Sequence, residues 1–150
     1  MSDNFLRVLP ATPEYRPKRG QARRVVAALK RMAPDARTID LIDTGEITFV
    51  DCGANFEAVR CPGCGSDLAL DWWGDAMTVA YETGFSDLGI TTPCCTLAVS
   101  LNDLAYDWPQ GFASWWVEAR NPGRGELSDD EVRSLADALG HAIRIVWTHV

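Results

Sequence analysis

The chain has 150 residues, 47% of them hydrophobic and 23% charged, and carries a net charge of −7. That mix excludes a wholly disordered chain, and a chain this long buries about 68–70% of its unfolded surface without needing disulfides. No apolar run reaches the roughly 18 residues of a membrane span. The N-terminus, with Asp3 and no signal-like apolar stretch, predicts no leader, so a cytoplasmic protein is expected.

In chain order, residues 4–10 alternate apolar and polar and predict a strand, and the two prolines of 11–19 predict a loop. Residues 20–33 predict a helix, with Ala22, Val25, Val26, Leu29 and Met32 on one face and the bases on the other, ended by Pro34. Residues 38–42 and 46–52 read as a hairpin about the turn Asp43-Thr44-Gly45, and 56–60 leads into the first cysteine pair. Ser66-Asp67 resembles an N-cap for a helix over 67–82. Residues 88–92 and 96–101 flank a second cysteine pair as strands, 102–112 is loop-like, and 113–121 is a strand. Ser128 and Glu131 form a capping-box pattern that opens a helix at 129–139, ended by Gly140, and 142–148 is the last strand.

No sequence repeat is visible, but strand–helix–strand occurs at 4–42 and again at 113–148. Two such units can form a mainly antiparallel sheet with both helices on one face, a ferredoxin-like arrangement. The expectation is therefore a single α+β domain over 1–150, with a cysteine-rich insertion at 50–101. A plain α+β sandwich is the competing architecture.

Charge is unevenly spread. Residues 1–37 carry nine Lys/Arg and three acids, while residues 38–150 carry five bases and eighteen acids. A basic helix on an acidic body fits a solvated face, a nucleic-acid patch, or an acidic surface made for a basic partner. Acidic bulk repels phosphate at long range, which disfavours nucleic acid.

Cys61-Pro62-Gly63-Cys64-Gly65 is the strongest motif. Two intervening residues let both sulfurs face one point, and Gly65 permits the backbone turn just past the second ligand. The pattern resembles the knuckle of zinc ribbons over residues 58–67, and more loosely over 94–97. That resemblance implies one structural zinc per chain, with Cys61, Cys64, Cys94 and Cys95 as ligands and no open position for catalysis. The adjacent pair Cys94-Cys95 departs from a second Cys-x-x-Cys, so the fifth cysteine, Cys52, or more weakly His141 or His149, is an alternative ligand. A thioredoxin-like dithiol at Cys61/Cys64, with Pro93 as its proline loop, and buried free thiols are the competing readings.

No phosphate-binding glycine loop or serine elbow is present, and Ser100, Asp103 and the histidines make a triad only on paper. No enzyme activity is expected. In the adjacent pairs Trp72-Trp73 and Trp115-Trp116, one member of each is expected in the core and the other either exposed or under a loop. The aromatic-acidic loop 102–112, with Tyr106, Trp108 and Phe112, and the acidic loop 126–131 are candidate binding surfaces. In size and charge the chain resembles immunity proteins that neutralise basic toxins. The expected function is a zinc-stabilised protein-binding module for a basic partner. Alternatives are nucleic-acid binding through the knuckle and helix 20–33, and a thiol redox enzyme.

Overall fold

The computed structural model describes residues 2–150. Along the chain run β1 (Asn4–Pro10), α1 (Arg19–Met32), β2 (Thr38–Val50), β3 (Val59–Arg60), α2 (Leu70–Glu82), β4 (Gly89–Thr91) and β5 (Ala98–Ser100). A 3-10 turn at Leu101–Asp103 follows, then β6 (Ala105–Tyr106), β7 (Gly111–Arg120), α3 (Asp129–Leu139) and β8 (Ile143–His149). The fold is α+β. Its main sheet has the order β2-β7-β1-β8, with every neighbour antiparallel. The two strand–helix–strand halves interleave, each giving one inner strand (β1, β7) and one outer strand (β2, β8). Among the described residues no helix is long and apolar enough to cross a membrane.

Alternation in the strands sets the layers. Leu6 and Val8 of β1 and Trp115, Val117 and Ala119 of β7 face α1 and α3, where Val25, Leu29, Leu135 and Leu139 complete the core. The capping box predicted at Ser128 and Glu131 is formed, and Gly140 ends α3 at φ +74°. The other sheet face carries a smaller cluster of Leu9, Val50, Ala113, Trp116 and Val146. Beside it, Arg7 pairs with Glu118 at 3.1 Å, and the Trp116 indole N–H donates to the same carboxylate at 2.9 Å. Trp115 and Trp116 are therefore both buried, one on each face. The second tryptophan is neither exposed nor left to a loop, because both faces of β7 are packed.

The predicted hairpin at 38–52 is also wrong. Those residues form one long strand that pairs with β7 on both sides of an irregularity between Asp43 and Thr48. The Asp43-Thr44-Gly45 turn exists, with Gly45 at φ +75° and its N–H donating to Asp43 Oδ1. It makes a bulge rather than a reversal, because β7 offers a partner before and after it.

The excursion between β2 and β7 spans residues 51–110, longer than the predicted 50–101, because β6 pairs back onto β3. It leaves the sheet along β8. His149 N–H donates to the Cys52 carbonyl (3.2 Å), and Ala54 N–H donates to the His149 carbonyl (2.8 Å). A Cβ on Gly53 would lie 2.3 Å from that His149 oxygen, so only glycine permits this approach. The insertion has its own core of Val59, Cys61, Leu68, Ala80, Leu88, Leu101, Leu104 and Phe112. Trp73 ties α2 to it, stacked on Phe56 (ring centroids 5.2 Å) and donating to the Tyr106 hydroxyl (3.2 Å). Helix α2 begins at Leu70, not 67, and Ala69 caps it without a side-chain bond. Asp67 cannot act as the cap because Arg60 holds its carboxylate at 2.9 Å and bridges its backbone.

Candidate metal centre

Two short strands each deliver a tight turn to one place. After β3, Cys61 N–H donates to the Ser66 carbonyl (2.9 Å) and Gly65 N–H to the Cys61 carbonyl (2.9 Å), with Gly65 at φ +76°. After β4, Thr92 N–H donates to the Leu97 carbonyl (2.9 Å) and Thr96 N–H to the Thr92 carbonyl (3.0 Å), with Thr96 at φ +57°. Gly63 sits where the turns meet. A Cβ there would come within 2.9 Å of Leu97 and 3.6 Å of the Cys61 and Cys95 sulfurs.

The turns bring Cys61, Cys64, Cys94 and Cys95 together, with all four sulfurs within 4.8 Å of one another. Cys61 Sγ lies 3.6 Å from Cys95 Sγ, and Cys64 Sγ lies 3.4 Å from Cys94 Sγ. A tetrahedral thiolate site with metal–sulfur bonds near 2.3 Å has sulfur–sulfur edges of about 3.8 Å. Both distances are well beyond the roughly 2.05 Å of a disulfide. The four cysteines can hold a metal ion, with Cys61 buried against the insertion core and the other three exposed.

Electrostatics fit that role. The backbone N–H of Cys64 is the main influence that pulls the Cys61 thiol down to about 6, helped by the Gly63 N–H and the Thr92 hydroxyl. Hydrogen bonds from Ser66 lower Cys64. Desolvation, then the neighbouring Cys64 sulfur, pushes Cys94 up to about 11. Without a cation, the cluster resists holding every sulfur as thiolate. A bound dication reverses that, because ligand thiols must be deprotonated and their charges offset.

Cys52 stays outside the cluster. It is fully buried, its thiol is pushed up by burial, and its sulfur lies 3.2 Å from Gln110 Oε1. The histidines also stand apart. His141 stacks on Tyr15 (centroids 4.1 Å apart) and meets Thr12, while His149 pairs with Asn4. Ser100 accepts from the Asn102 N–H and Asp103 pairs with Arg144, so neither joins a histidine in a triad. The peptide bond before Pro93 is trans.

Of the aromatic loop, Phe112 and Tyr106 pack into the insertion core, and burial raises Tyr106 to about 12. Trp108 is 39% exposed. It lines an open cleft of about 720 Å³ shared with Pro109, Trp147, Pro122 and Glu126. The loop acids are largely engaged: Asp107 with Arg60, Asp103 with Arg144, Glu131 with Arg124, and Asp130 with Arg133. Sequence reading passed over Thr92, which is 1% exposed and has its hydroxyl 3.7 Å from both the Cys61 and Cys95 sulfurs. The signal was its place directly before a proline and two cysteines. Comparison with protein-family models, with curated proteins and with solved structures returns no match.

Proposed function

We propose that the chain is a zinc-stabilised module that docks a basic protein partner, with α2 as the main docking face. Helix α2 carries the proposal: it is the most apolar of the three helices, yet only Ala80 in it is fully buried. The apolar residues of a helix normally face a core. Here Leu70, Val79 and Tyr81 are 51%, 63% and 70% exposed. They interleave with Asp71, Asp75 and Glu82, and no base lies on the helix. Among the described residues these three acids make no ion pair, unlike Asp103, Asp107, Asp130 and Glu131 of the two acidic loops. Residues 51–110 hold nine acids against the single base Arg60, so the chain's negative excess lies in the insertion. A zinc ion under four thiolates adds two further negative charges. Such a face steers and selects a basic surface with apolar anchors. Four thiolates leave zinc no open position, so its work is to hold the two turns together. Neutralising a basic toxin is one instance of this chemistry.

The test is capture of a basic partner from the source cells by the metal-loaded chain, compared with a Val79→Arg, Tyr81→Ala double variant. Binding should weaken as salt rises and disappear in the variant while metal content holds. Binding insensitive to both would refute the reading.

The nucleic-acid alternative retains one supporting observation. Arg19, Arg23, Arg24, Lys30 and Arg31 of α1 are exposed, no acid lies on that helix, and none of the five is in an ion pair among the described residues. The knuckle itself, in a segment whose single base is Arg60, gives that alternative no support. Retardation of DNA or RNA at low salt by the wild-type chain, lost when these bases are replaced, would favour it.

A further inference from the structure

The two turns align position for position once 61–66 is laid on 92–97. Pro62 meets Pro93 and Cys64 meets Cys95. Both turns make the same two backbone hydrogen bonds, from first residue to sixth and from fifth to first, and both have a fifth residue with positive φ. Both follow a short strand that ends at or just before the first residue. In this alignment Cys61 falls on Thr92, and Gly63 falls on Cys94.

We infer that the insertion holds two copies of one metal-binding turn, in which Thr92 occupies the vacated first-ligand position of the second copy and Cys94 supplies the transposed fourth sulfur. This rests on the metal-binding reading of the cluster. The Thr92 hydroxyl sits 3.7 Å from the Cys61 and Cys95 sulfurs, close to the roughly 3.8 Å edge of a tetrahedral thiolate site. It accepts from the Leu97 N–H at 3.0 Å, which leaves its own proton for a thiolate. Thr92 is therefore a positioning residue: it holds the ligands from the buried side, and Cys94 closes the site from the solvent side. Gly63 explains why the transposition is one-sided. In the first turn a side chain at that position would strike Leu97, whereas the second turn carries one there.

The test uses the full chain with cobalt(II), whose ligand-field bands distinguish four thiolates from three. Cys94→Ala should bind cobalt more weakly and lose the four-thiolate spectrum. The double variant Thr92→Cys, Cys94→Ala should recover one cobalt per chain with that spectrum, because the new sulfur stands at a ligand position. Thr92→Val should weaken binding roughly 10–100-fold, the usual cost of losing a group that orients metal ligands, and Thr92→Ser should keep native affinity. Failure of the double variant to improve on Cys94→Ala, with circular dichroism showing both folded, would overturn the assignment while leaving the metal site intact. A wild-type chain that binds no cobalt would overturn both.

Discussion

Treatment with a chelator gives a sharp test of what the four cysteines do. The perturbation is removal of metal from reduced, tag-free protein, with melting followed by circular dichroism. Cys64 and Cys94 stand 30 residues apart in sequence and 3.4 Å apart between sulfurs. A metal that joins them acts as a cross-link on the unfolded chain. The loop-closure relation gives such a link about 3.6 kcal/mol at 25 °C. For a chain of this size each kcal/mol moves Tm by roughly 2–4 °C, so chelation should lower Tm by roughly 7–14 °C. Thiol counting supplies the second readout. Before chelation few thiols should react, and afterwards four should, while Cys52 stays silent until the protein unfolds because it is fully buried. Zinc at one ion per chain is the expected metal. A Tm unmoved by chelation, or free reaction of all four cluster thiols beforehand, would refute the cross-link.

Two further outcomes follow from the packing. Arg124 grips Glu131 through both terminal nitrogens at 2.6 and 2.7 Å, and this pairing above all holds the carboxyl at about 2 against an ordinary value of 4.5. A carboxyl depressed in the folded state stabilises fully above its unfolded value and loses that contribution as pH falls towards the folded one. The stability advantage of wild type over Glu131→Gln should thus be present at pH 5 and shrink as pH drops from 4.5 towards 2, and a pH-independent difference would contradict the pairing. Trp73→Ala should cost about 3 kcal/mol in urea titration, the low end for a core tryptophan because Trp73 is only half-buried; a cost below about 1 kcal/mol would mean that α2 is held by something else.

The strand–helix–strand halves were legible because each signal was local: two-residue alternation in β1, a helical apolar stripe in α1, and Ser128 with Glu131 opening α3. The cysteine set was legible because Cys61-Pro62-Gly63-Cys64-Gly65 is a compact motif with few competing uses. What failed depended on distant partners. Asp43-Thr44-Gly45 has turn chemistry, and only the presence of β7 along the whole of β2 makes it a bulge. Ser66-Asp67 has capping chemistry, and Arg60 claims the aspartate first. The place of Trp116 was open until Glu118, Leu9 and Val146 took up its side of the sheet. The likeness of the two cysteine turns went unseen because Thr92 stands where the motif has its first cysteine. Their shared hydrogen-bond pattern exists only in three dimensions.

The bulge in β2 bears on how the molecule avoids joining to copies of itself. An edge strand of 13 residues presents a long row of unpaired backbone groups, a template onto which another chain's strand could add. Between Asp43 and Thr48 that row is broken, with Gly45 turned into the left-handed region and Asp40, Asp43 and Glu46 spaced along the strand. At the opposite edge, the segment from Cys52 to Asn55 lies against the end of β8 and takes up its hydrogen bonds. The sheet is thus interrupted on one side and partly covered on the other. Removing residues 44–46 to straighten β2 would leave its pairing with β7 intact and would open a continuous edge to strand-by-strand polymerisation.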